Sequence, residues 1–356
     1  SAISALWILI ANSWMQHPVG MEFNPDTVRH EMVDFWAVVL NPVAVSKFFH
    51  AVFSGWMTGA IFVIGVSCWY LLKKRETKFA LSSIRVSAVV GIVGTFVLML
   101  SGDSSGIHVG KYQPMKLAAA EGLEEGGTRA PFSIVPGVEI PGMLSILATH
   151  DINGYVPGIN NILEGYTTPD GEVYLSAEEK MERGKTALAA FTEYRELKDT
   201  NPEAAAQARQ VLNENVDYFG YGYIESQDEL VPNVPLIYWA FRVMVYFGSF
   251  LLVLMIFVLW MEWKGKLVNM KWLQWISLLS IPLVYLCGQA GWIVAEAGRQ
   301  PWTIEGMLPV NAAVSSVSVG AVQTTFFVFV AIFTLFLAIE TRIIFKAIKQ
   351  GPKVDE

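Results

Sequence analysis

The sequence predicts an all-α membrane protein: a transmembrane helical bundle of five full spans plus part of one more, with a long, partly helical extracytoplasmic loop. Three observations predict it. Of 356 residues, 53% are hydrophobic and only 16% charged, where soluble domains carry about 25% charged residues. The apolar residues are gathered into runs long enough to cross a bilayer. Basic residues cluster at alternate ends of successive runs.

The first run, Ala2–Met15, is too short to span alone. It has no basic leader and no small-residue cleavage site, so it does not read as a signal peptide. With no initial methionine, it reads as a helix cut through its middle, which leads us to expect the C-terminal part of a longer protein. Full spans follow at Val43–Leu72, Val86–Leu100, Pro235–Trp260, Trp272–Ala295 and Val319–Ile344. The second is short and reaches spanning length from Phe79 if Arg85 snorkels. Lys73, Lys74, Arg75 and Lys78, then Lys264, Lys266 and Lys271, then Arg342, Lys346 and Lys349 mark the cytoplasmic ends by the positive-inside rule. The chain divides accordingly into membrane helices over 1–101, an extracytoplasmic segment over 102–232, and three membrane helices with a short cytoplasmic tail over 233–356.

In the outer segment acidic residues outnumber basic ones by about two to one, which argues against nucleic acid as a partner. Ser176 with Glu179 forms a capping-box pattern that opens a helix through Leu197. Asn201-Pro202 caps and starts a second helix. Lys111–Glu125 is compatible with a helix, and Gly126–Gly158, rich in glycine and proline, reads as irregular. A connection this long in a compact protein is usually functional. Cys68 and Cys287 lie at different depths, too far apart for a disulfide. No dinucleotide, P-loop, nucleophile-elbow, zinc-protease or haem-attachment motif is present.

The chemistry lies in polar residues within the apolar runs, where ionisable groups mark sites by default. His50 sits about two turns into its span, followed by Gly55 and Gly59, whose spacing allows close approach of a helix or a flat ring. A neutral imidazole there suits a haem iron; the ordinary alternative is a hydrogen bond to a neighbouring helix. Met244 lies at matching depth, and such a methionine is otherwise packing. Arg242 beside it requires an anionic partner, which a haem propionate would supply. Gln289, Trp292, Glu296 and Arg299 line one helical face. A structural Glu296–Arg299 ion pair competes there with a ligand role. Lys116 and Glu121 read on their own as solvated loop charges.

Several stretches together resemble the large subunit of cytochrome bd quinol oxidases. They are Ser4–Trp7, Trp14–Gln16, Asn41–Ala44, Lys47–His50, Gly102-Asp103, Ser105-Gly106, Lys116–Ala119 with Glu121, Phe241–Met244 and Gly298–Trp302. The resemblance implies that His50 and Met244 are axial ligands of a low-spin haem b, with Arg242 beside it. It implies Glu296 as the ligand of a high-spin haem b, flanked by Trp292 and Arg299. Lys116 and Glu121 match quinol-oxidising residues of the family's Q-loop, here of the long type, and Ser4 a serine of a cytoplasmic proton route. The implied reaction oxidises quinol at the outer face and passes electrons through both haems b to haem d. Oxygen is reduced there to water with charge separation across a bacterial cytoplasmic membrane. The haem d ligand is expected outside this chain. A second membrane subunit, with small single-helix subunits as further candidates, is the implied partner. Two alternatives stand beside this reading: a membrane b-type cytochrome that only relays electrons, and a transporter or channel without haem.

Overall fold

Why the long helices begin where they do is visible at their first turns. Asn41 accepts a hydrogen bond from the Val43 amide at 3.0 Å ahead of Pro42. Asn233 caps the Leu236 amide at 3.1 Å ahead of Pro235. In each case a short polar side chain satisfies an orphan amide, and proline supplies a residue that needs no partner. The computed structural model describes residues 2–352. Its helices are α1 (Ala2–Gln16), α2 (Phe35–Val39), α3 (Pro42–Leu72), α4 (Thr77–Tyr112), α5 (Pro114–Glu121), α6 (Met143–Thr149), α7 (Ile159–Glu164), α8 (Ala177–Leu197), α9 (Pro202–Asn215), α10 (Val234–Trp263), α11 (Lys271–Ala297) and α12 (Val319–Gln350). Antiparallel strand pairs are confined to the connections, and a 3-10 stretch, Val216–Tyr223, follows α9.

Five segments are long and apolar enough to cross a membrane, and they include α3, α4, α10, α11 and α12. The fold is thus a multi-pass helical membrane protein. The helices α3, α4, α10 and α11 form one packed group, in which α3 and α10 each pack on both α4 and α11 and lie diagonally opposite. Their shared core includes Met57, Ile61, Ile64, Ile84, Leu251, Met255 and Val258. A Cβ on Gly91 would stand 2.7 Å from Ala60 Cβ, so α4 and α3 approach too closely there for a side chain. By contrast α12 buries none of its residues against the rest. It is tied at its C-terminal end, where Tyr70 Oη donates to Ile348 O at 2.7 Å and Arg75 to Lys349 O at 3.2 Å. The three basic clusters therefore gather at one end of the molecule.

Three expectations change. The second span is far longer than its apolar run: α4 has 36 residues, about 54 Å at 1.5 Å per residue against a hydrocarbon thickness of about 30 Å. It continues because its polar outer part keeps one face on α3. Ser101 Oγ lies 3.4 Å from His50 Nδ1, Ser46 Oγ lies 3.1 Å from His108 Nδ1, and the Tyr112 ring stacks on His17 at 3.6 Å. Arg85 has a partner within the protein, pairing with the buried Glu262 carboxylate of α10 at 2.6 Å. Gly55 and Gly59 lie on a different part of the α3 surface from His50. They stand about 140° and 180° around the helix from it, in open space with nothing within 4 Å of an added Cβ. Finally, 126–158 is ordered: Phe132–Val135 pairs with Val138–Ile140, Gly127-Thr128 with Tyr155-Val156, and α6 lies between.

Candidate functional site

The short helix α5 positions the site. It starts at Pro114 directly after α4 and ends at Gly122, whose left-handed φ of +63° stops the helix against the Tyr238 ring. Docked on α10, it turns both of its charged side chains inward. Lys116 is 3% exposed and Glu121 4%, so neither is the solvated loop charge that its sequence context suggests.

Glu121 pairs with Arg242 of α10 at 2.8 Å, each side chain 2% exposed. The guanidinium also donates to the carbonyls of Ala120 and Ser133 and lies 3.9 Å from the Tyr238 ring centroid. Tyr238 in turn shares a 2.8 Å hydrogen bond with Ser133 Oγ. An anion beside Arg242 is therefore present in the chain itself, as Glu121. One donor, Arg242 Nε, is buried without a partner among the described residues. Burial pushes the Glu121 carboxyl up to about 7, against the downward pull of Arg242.

Lys116 belongs to a second network. Its ammonium donates to Gln113 Oε1 at 2.6 Å and to Gln16 Oε1 at 3.0 Å. Gln113 Nε2 donates onward to Glu305 at 2.7 Å. On the other side Gln16 donates to Asn12 Oδ1 at 3.2 Å, which also accepts from Lys47 Nζ at 2.9 Å. Asn12 Nδ2 donates to Glu296 Oε1 at 2.9 Å, and Arg299 holds the other oxygen at 2.7 Å. Hydrogen bonds thus run without a break from Glu305 through Lys116 to Glu296. Burial pulls the Lys116 ammonium down to about 8, against the upward pull of Glu305 and Glu296. It raises Glu305 to about 7.

His50 and Met244 lie on the diagonal helices α3 and α10, above the level where Met57 and Leu251 close the core. His50 is half-buried, with Nδ1 toward Ser101 and Nε2 left as the second ring nitrogen. A Cβ on Gly291 would stand 3.1 Å from Met244 Sδ, so that glycine gives the thioether its room. Imidazole and thioether are the donor set of a six-coordinate haem, and these residues fit that group. Glu296 keeps a second lone pair on each oxygen beyond the bonds it accepts, so the observed Arg299 pair is compatible with ligation. Trp292 is 44% exposed on the open side of α11. Ser4 is exposed on α1, about 12 Å along the helix from Asn12, and stands outside the network.

Asn12, Gln113 and Glu305 escaped the sequence reading, while Gln16 and Lys47 entered only as parts of matching stretches. Lys47 alone carried a signal, a charge in the first turns of an apolar run. The others are ordinary polar residues until the fold assembles them.

The chain is 35% identical over 382 residues to cytochrome bd-II ubiquinol oxidase subunit 1 of Escherichia coli (strain K12), covering 99% of itself and 71% of that protein. It is 30% identical over 366 residues to cytochrome bd ubiquinol oxidase subunit 1 of Bacillus subtilis (strain 168), covering 99% of itself and 66% of the relative. Its fold resembles the solved bd oxidase from Geobacillus thermodenitrificans with a TM-score of 0.70 at 23% identity, over 99% of this chain and 68% of that one. The family model for cytochrome bd terminal oxidase subunit I matches residues 1–352, and the chain belongs to that family of oxidase subunits.

Proposed function

We propose that this chain is the quinol-oxidising and haem-bearing part of an electrogenic quinol:oxygen oxidoreductase in a bacterial membrane, working with a second subunit. One observation carries the reading: α5 sets both candidate quinol residues against the helices that bear the candidate haem ligands. Glu121 is paired to Arg242, two residues from Met244, and Lys116 is linked by hydrogen bonds to Glu296.

Oxidising a quinol removes two electrons and two protons, so the site needs a base and a group to hold the oxygen as its proton leaves. Glu121, with its carboxyl at about 7, is poised to accept a proton near neutral pH. Arg242 holds that carboxylate in place and stabilises it while ionised. The Lys116 ammonium has one N–H with no acceptor among the described residues and can donate it to a quinol oxygen. His50 and Met244 would hold a low-spin haem b, and Glu296, beside Trp292 and Arg299, a high-spin haem b. When bound, these groups supply one-electron transfer toward the oxygen-reducing haem d. Ser4 on α1 lies at the start of a route for cytoplasmic protons.

The test is a dithionite-reduced-minus-oxidised spectrum of the intact purified oxidase, wild type beside His50→Ala and Met244→Leu. Selective loss of the low-spin band in both variants is expected. Unchanged spectra in both would remove these residues as ligands. Quinol oxidation by Lys116→Ala and Glu121→Gln, expected to fall at least about tenfold, tests the other half.

A further inference from the structure

Gln113 bridges two opposite charges. Buried at the break between α4 and α5, it accepts from Lys116 Nζ through Oε1 and donates to Glu305 through Nε2. An amide has one donor end and one acceptor end. The ammonium demands the acceptor and the carboxylate the donor, so a single orientation satisfies both. The orientation of Gln113 is therefore set by Glu305, and the place of the Lys116 ammonium by Gln113.

Glu305 is itself firmly held. It lies at the turn of a short hairpin, Trp302–Ile304 with Leu308-Pro309, and its backbone amide donates to Met15 O at 2.9 Å. Trp302, 5% exposed, packs edge-on against Tyr221 at 4.9 Å. Both immediate acceptors of Lys116 are neutral amides, so the charge that balances this buried ammonium comes from further away. The charged and titratable groups around the pair are Glu305, Glu296, Arg299, Lys47 and Tyr221. α1 contributes only amides to the network. Of the two carboxylates, Glu305 is one amide away from the ammonium, while Glu296 is two amides away and already paired with Arg299.

We propose that Glu305 is a positioning residue of the quinol site: through Gln113 it aims the Lys116 ammonium and keeps it charged. This rests on the reading that Lys116 meets the quinol. Without the Glu305 charge, desolvation of the ammonium is less opposed, and Lys116 loses its proton at a lower pH.

The experiment measures kcat/KM for a soluble short-chain ubiquinol analogue against pH, on the intact oxidase. It compares wild type, Glu305→Gln, Glu305→Asp and Lys116→Ala, with haem spectra as the check on assembly. Glu305→Gln keeps a hydrogen-bond acceptor but no charge, and is expected to move the alkaline limb about one pH unit toward acid. Glu305→Asp keeps the charge and is expected to hold the limb near wild type. An unshifted limb in Glu305→Gln, or an equal shift in both variants, overturns the proposal. If Glu305→Gln does not assemble, Gln113→Leu cuts the same bridge and is expected to shift the limb the same way; a wild-type profile there overturns the proposal. Wild-type quinol oxidation by Lys116→Ala would instead overturn the quinol-site reading itself, so the two failures are distinguishable.

Discussion

At the scale of single residues the site is governed by the cost of burying charge. Arg242 and Glu121 are both almost fully enclosed, and removing one member of such a pair leaves the other charge without compensation. Arg242→Ala is expected to lower stability by about 3–5 kcal/mol, seen as a reduced denaturation midpoint in detergent. Glu121→Gln strands the buried Arg242 guanidinium in the same way, and its uncharged amide oxygen offsets only part of that cost. The pH dependence follows from the same burial. Glu121 and Glu305 sit at about 7, raised by burial from an ordinary 4.5. Between those values the folded chain holds more protons than the unfolded one, so these groups withdraw stability as pH rises from about 4.5 to about 7. The double variant Glu121→Gln/Glu305→Gln should flatten that slope in a pH series of melting midpoints. A slope equal to wild type would mean that neither carboxyl titrates differently in the folded state.

Among the elements, α8 shows how far local pattern reaches. Ser176 Oγ accepts from the Glu179 amide at 3.2 Å and Glu179 returns a bond to the Ser176 amide at 3.1 Å, as the capping-box pattern foretold. Ser176→Ala is expected to cost about 1 kcal/mol and to speed amide exchange at Glu178–Lys180. The opposite face of that argument is Gly184. A Cβ there would stand 2.3 Å from the Gly222 amide nitrogen, so Gly184→Ala must push α8 off the 3-10 stretch, costing about 1–3 kcal/mol. Nothing in sequence periodicity announced that contact. α4 differs again: its apolar run ends near Leu100, yet Ser101 and His108 meet α3 and Tyr112 stacks on His17 just after α1, which carries the helix for further turns.

For the whole molecule the governing feature is two-sidedness. Basic clusters gather at one end, while the acidic 102–232 segment folds over the other and delivers α5 to the helix ends there. A membrane-impermeant maleimide should label Asp170→Cys in intact spheroplasts and Lys264→Cys only after permeabilisation. Cys68 is buried and Cys287 half-buried, which keeps the native background low. Labelling in the reverse pattern would invert the orientation. The exposed apolar surface of α12 suits either lipid or another helix.

Composition, run length and basic flanks sufficed to foresee a helical membrane protein with five spans, and local capping patterns located α8 and α9. These properties are local: each is decided within a turn or two of chain, or by the cost of placing a segment in lipid. Motif resemblance singled out His50, Met244, Glu296, Lys116 and Glu121. What only the tertiary structure decided was how those residues meet. Asn12, Gln16, Gln113 and Glu305 come from distant parts of the chain, and each is unremarkable alone. They form a network because a buried ammonium and two carboxylates at least partly shielded from solvent must find partners, and which partners lie within reach depends on how α1, α5 and the 302–309 hairpin pack together. Arg242 makes the same point: its place in an apolar run called for an anion, and only the fold could show that Glu121 lies against it.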